Sequence, residues 1–127
     1  MKKYFFPLII SVIFTLPSAA QTLKVTAVNT SNSSEYQKAA KYLGKSITLT
    51  FYDNSVTVKM EGDSQPINLK KGRDDHYGTS KEYAAHTDYI GLKVEKVLGV
   101  VHEIKLEIQK VRSRGTNETK TYTAKRF

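Results

Sequence analysis

The chain has 127 residues, no cysteine and no tryptophan, and 20 lysines and arginines against 12 acids, a net charge of +8 at pH 7. That length suits one domain able to bury roughly 65% of its unfolded surface. The missing cysteine excludes a disulfide scaffold, a thiol nucleophile and a lipid-modified cysteine behind a leader. The basic excess favours anionic partners: polyanionic saccharides, phosphorylated envelope lipids, acidic proteins or nucleic acid. The same charge also serves plain solubility.

Residues 1–20 read as a signal peptide. Lys2 and Lys3 form a basic start, Tyr4 to Leu16 is uncharged and apolar, and Pro17 to Ala20 supplies small residues for cleavage after Ala20. The apolar run, about thirteen residues, falls short of the ~20 that a spanning helix needs. The expected mature protein is therefore a single β-rich domain over 21–127, periplasmic or secreted, with no membrane span after cleavage. The short lysine-led leader and lysine-rich, cysteine-free body point to a bacterial source. Export makes nucleic acid the least favoured partner.

Leu23, Val25 and Ala27 alternate with polar neighbours and predict a first strand. The next segment predicts the one helix. Asn32 is placed as N-cap with Glu35 reaching back, and Tyr36, Ala39, Ala40 and Leu43 form an apolar stripe that Gly44 ends. At about eleven residues such a helix must dock to be stable.

Ile47, Leu49 and Phe51 are followed by Val56, Val58 and Met60, with Asp53-Asn54 between as a turn. Closing that hairpin puts Phe51 opposite Val56, Leu49 opposite Val58 and Ile47 opposite Met60. A one-residue slip would scramble both faces. Ile67 and Leu69 predict a short strand returning in phase with Met60 and Val58.

Lys71 to Asp88 breaks the alternation and reads as a long polar loop, with a helical turn over 81–86. Order resumes with Ile90, Leu92 and Val94. After Leu98-Gly99 comes the longest strand, with Val100, His102, Ile104, Leu106 and Ile108 in one phase. A turn at Arg114-Gly115 leads to a last strand with Tyr122 opposite Ile108 and Ala124 opposite Leu106.

About seven strands in sequence with one early helix predict a small antiparallel up-and-down barrel plugged by that helix. The alternative is a curved open sheet wrapped on the helix, as in cystatin-like folds. The layout resembles lipocalin-type barrels in architecture. No family motif accompanies the resemblance, so it implies no function.

Three groups of residues are candidates for a site. In the long loop, His76, His86 and Asp88 are weak metal candidates, because their spacing matches no ligand pattern and a solvated loop is the favoured explanation. On the barrel lining, His102, Tyr122 and Arg126 could anchor the acidic head of an apolar ligand. On the surface, Arg73, His76 and Tyr77 of the loop join Arg112, Arg114, Lys120 and Lys125 of the basic C-terminal hairpin as an interaction surface. A charged edge that discourages sheet aggregation is the competing explanation of that hairpin.

No Gly-x-Ser-x-Gly, His-Glu-x-x-His or phosphate-cradling glycine loop occurs. The sequence thus predicts a non-enzymatic binding protein without cofactor or metal. It would contact an acidic protein or anionic envelope polymer, an inhibitor among the options. The alternative is a barrel carrier of a small apolar or amphipathic ligand.

Overall fold

The computed structural model describes residues 19–127. The expected signal peptide lies outside these residues except for Ala19 and Ala20, which open the first strand. Eight strands run β1 (Ala19–Thr30), β2 (Ser46–Phe51), β3 (Ser55–Met60), β4 (Ile67–Lys71), β5 (His76–Glu82), β6 (His86–Val97), β7 (Val100–Arg112) and β8 (Glu118–Arg126). One helix, α1 (Ser33–Ala40), lies between β1 and β2. Each strand pairs antiparallel with its sequence neighbours and β8 pairs with β1, closing a barrel. The open-sheet alternative is thereby set aside. Among the described residues no helix is long and apolar enough to cross a membrane.

The period-2 alternation lines the interior. β2 and β3 pair as Phe51↔Val56, Leu49↔Val58 and Ile47↔Met60, in the register that the one-sided apolar face requires. Leu23, Ile47, Leu49, Leu69, Leu92, Ile104 and Leu106 are each at most 1% exposed, and no polar residue is buried among the described ones. The interior is filled by the barrel's own side chains, as small barrels usually are.

Two β-bulges decide which residues face inward, since one extra residue reverses the phase beyond it. In β1, Val25 pairs with Ala124 but Ala27 with Thr123, so Thr26 is extra. Ala27 then turns outward and Val28 packs against the core, the reverse of the simple alternation. In β7, Glu103 pairs with Glu95 and Val101 with Lys96, so His102 is extra. Val101 is buried and His102 is exposed, which corrects the expectation of an inward His102.

Other expectations are corrected too. The stretch 71–88 is mostly strand: β5 and the start of β6 make eight strands rather than about seven, and no helical turn forms at 81–86. Ile67 pairs with Val58 and Leu69 with Val56, two residues from the expected register but on the same face. The last hairpin is likewise offset by two, with Tyr122 opposite Leu106 and Ala124 opposite Ile104.

The helix does not plug the barrel. Asn32 caps it, its side chain accepting from the Ser34 amide at 3.0 Å, but Glu35 turns to Lys38 and Lys120 instead of reaching back. Of its apolar stripe only Ala39 is buried, while Tyr36 and Leu43 are 43% and 40% exposed. The docking residues are Ala39 and, just past the helix, Tyr42, whose ring meets Tyr122 edge-on at 5.7 Å. The crossing segment therefore lies over one end of the barrel, which we term the helix end. Alternation of strand direction puts the β5–β6 and β7–β8 turns there as well. The β2–β3, β4–β5 and β6–β7 turns and the start of β1 lie at the opposite rim.

Candidate functional site

That alternation separates the residues expected to share one interaction surface. Arg73, His76 and Lys125 lie toward the opposite rim, whereas Arg112, Arg114 and Lys120 lie at the helix end. Tyr77 is no surface residue. It is 8% exposed, points inward and meets Phe51 edge-on at 6.0 Å, and burial raises its pKa, with Asp75 adding to the effect. The metal candidates divide in the same way. His86 and Asp88 approach to 3.4 Å, with Tyr83 stacked on His86 at 4.6 Å, but His76 begins β5 at the far rim. The three residues do not share a site.

The proposed ligand anchors separate by face. Tyr122 is in the core, its pKa raised first by burial and then by Asp63 and Glu35. His102 and Arg126 face solvent together beside one rim depression. At the helix end, Glu35, Lys110, Glu118 and Lys120 line a depression of about 110 Å³. Its charges are largely matched within the protein. Arg112 donates to Glu118 at 2.7 Å, holding that carboxyl below its usual range, and Lys120 lies 3.9 Å from Glu35.

A different site emerges on the outer wall of β5–β8, assembled by register. Ser80, Tyr89, Gln109 and Thr119 form one row across four strands. His76, Lys93, Lys105 and Thr123 form a second row, closer to the rim. Between them runs a third row, Gly78, Gly91, Glu107 and Thr121. Two facing glycines leave the wall bare over two adjacent strands. By strand geometry the flanking rows stand about 13 Å apart, with the glycine floor about midway.

The result is an open trough. A depression of about 420 Å³ lies over Gly78 and Gly91 beside Tyr89 and Gln109. It shares Gly91 and Glu107 with a second, of about 260 Å³, beside His76, Lys93 and Lys105. Tyr89 is 45% exposed at the edge. The side chains of Lys93, Lys105 and Glu107 form no ion pair or hydrogen bond with any described residue, so their charges face solvent.

No family is shown. Comparison with protein-family models, with curated proteins and with solved structures finds no match. Neither trough glycine has a positive φ, so the backbone conformation does not demand glycine at either position. A Cβ on Gly78 would come to 3.2 Å from the Ile90 carbonyl oxygen, a packing reason for that one. A Cβ on Gly91 would meet nothing within 4 Å. Glycine inside a strand costs roughly 0.5–1 kcal/mol relative to alanine. At Gly91 neither folding geometry nor packing offsets that cost.

Sequence reading missed this trough, although one signal was present. An isolated glycine inside Ile90-Gly91-Leu92 marks a bulge or a close approach by another group, and no bulge occurs there.

Proposed function

We propose that this protein is an exported, non-enzymatic binding protein whose outer trough takes an anionic polysaccharide strand. The observation that carries this reading is the bare floor at Gly91, which leaves room for an external group to approach the backbone. The chemistry around it suits a sugar acid. Tyr89 offers a ring with a polar tip, apt for the mixed surface of a pyranose. Gln109, Ser80, Thr121 and Glu107 can exchange hydrogen bonds with hydroxyls. Lys93 and Lys105 carry unmatched positive charge toward carboxylate or sulfate groups, with His76 beside them. An open trough suits a chain that continues in both directions, and the packed interior favours an external site over an internal one.

Titration calorimetry of the full chain tests this, with oligogalacturonate and a sulfated glycan fragment as probes and a neutral oligosaccharide as control. The anionic probes bind, the interaction weakens with salt over the screening range, and Gly91→Val weakens it about tenfold, equivalent to ~1.4 kcal/mol. Equal affinity in the Gly91→Val variant, or no binding of either anionic probe, contradicts the reading. Binding of an acidic peptide instead would transfer the trough to the protein-partner reading.

A further inference from the structure

The β6–β7 ladder ends in an apolar tip. Val97, Leu98 and Val100 are 58%, 99% and 37% exposed around Gly99. The two turn residues both have positive φ, 53° at Leu98 and 79° at Gly99. Turns of this kind favour asparagine, aspartate or glycine, because a left-handed backbone crowds a larger side chain. Leucine at this position is strained and gains no contact that would offset the strain. Its side chain projects away from the barrel almost wholly uncovered.

The depressions beside the tip are lined by basic and not acidic side chains, and of the nearest acids Glu103 is paired with Lys125. Two depressions, of about 480 and 300 Å³, flank Val100 and Val101. Arg126 lines both, His102 lines one, Gln21 and Thr22 line the other, and neither contains a carboxylate. Lys96 adjoins the tip with its ammonium 5.4 Å from the centre of the Phe51 ring. Phe127, 77% exposed, follows Arg126. The tip is fastened to the start of β1, since the Gln21 side chain accepts the Val101 amide at 3.0 Å. β1, which residues 1–18 precede in the sequence, begins at this same rim.

We propose that this rim docks on an anionic phospholipid surface, with Leu98 and Val97 entering the headgroup boundary and Arg126 and Lys96 meeting lipid phosphates. An exposed apolar side chain with Arg126 and Lys96 beside it is the complement of such a surface, which is apolar beneath and negative above. Insertion would reach about 5–10 Å into the headgroup boundary. With so few apolar side chains, the attachment is reversible and sensitive to salt. The trough lies on the flank of the same hairpin, so docking leaves it facing along the membrane.

The chain has no tryptophan, so Leu98→Trp creates a single reporter at the tip, and Tyr83→Trp creates one at the helix end. Both positions are exposed, which leaves the core undisturbed. Using the full chain, the emission of each is read on vesicles of phosphatidylglycerol and of phosphatidylcholine. Comparing two positions in one chain separates attachment at this rim from attachment at the helix end, and the Arg126→Glu arm separates the tip from residues 1–18. The Leu98→Trp emission shifts to the blue on phosphatidylglycerol only, the Tyr83→Trp emission stays at its solvent value, and adding Arg126→Glu weakens the Leu98→Trp response severalfold. Unchanged Leu98→Trp emission on phosphatidylglycerol, an equal shift at Tyr83→Trp, or an equal shift on phosphatidylcholine overturns the proposal.

Discussion

The Tyr42 hydroxyl donates a 2.7 Å hydrogen bond to the Asp63 carboxylate, joining the segment after α1 to the β3–β4 turn. This bond and the Tyr42–Tyr122 ring contact hold the crossing segment over the helix end of the barrel. Neither residue is in the apolar stripe that the sequence presents, so the helix is anchored by its exit as well as by Ala39, the one buried residue of its face.

Tyr42 has a pKa pushed up to about 12, first by its bond to Asp63 and then by burial and that carboxylate's charge. A folded value above the unfolded 10.0 means that the bond's contribution is complete below pH 10 and is lost as pH rises through about 12. Tyr42→Phe should cost about 1 kcal/mol at neutral pH. Urea unfolding of both proteins should show that difference shrinking above pH 10.

Glu61 behaves in the opposite sense. Its carboxylate accepts the Ser46 amide at 2.9 Å and the Ser46 hydroxyl at 3.2 Å, which hold its pKa below the ordinary 4.5. Its contribution is present above pH 4.5 and lost as pH falls through the lower folded value. Glu61→Gln should therefore lower Tm at pH 7, and the gap to the parent should close in strong acid.

The β4–β5 seam is the thinnest in the wall, with the ladder pairs Lys70↔Gly78 and Lys71↔Tyr77 and the Gly72 amide donating to the His76 carbonyl at 2.8 Å. The β6–β7 ladder pairs from His86↔Arg112 to Val97↔Val100, interrupted only at the His102 bulge. Local opening follows the density of such bonds. In native-state hydrogen exchange, amides of β5 beyond Gly78 that face β4 should exchange well before those joining β6 to β7.

Gly91→Val should stabilise the fold. The position has ordinary backbone angles and open space for a Cβ, and a β-branched residue suits a strand. A gain of roughly 0.5–1 kcal/mol corresponds to a Tm increase of roughly 2–6 °C. A rise in melting temperature by calorimetry would show that glycine at this position is retained at the expense of stability.

The wall of this barrel was legible wherever apolar residues alternate singly, as in Ile47 to Phe51 and Val56 to Met60. Doubled apolar residues hid the bulges. Ala27-Val28 and Val100-Val101 each offer an inward residue in either phase, so alternation alone cannot say which of the two turns in. β5 was illegible because Tyr77 is its one buried side chain; the strand forms through its ladder with β6 rather than through an apolar face of its own. The trough escaped notice for a related reason. Its floor is made of missing side chains, and its walls gather one or two residues from each of several strands, which only the register aligns.

The most direct measurement is an amide-shift map of the ¹⁵N-labelled protein titrated with oligogalacturonate. Binding at the trough predicts perturbations centred on Gly78, Gly91, Tyr89 and Lys105 that saturate together and vanish in Gly91→Val. Saturating shifts confined to residues elsewhere, such as Lys110 and Lys120 at the helix end, would contradict the assignment of the binding site.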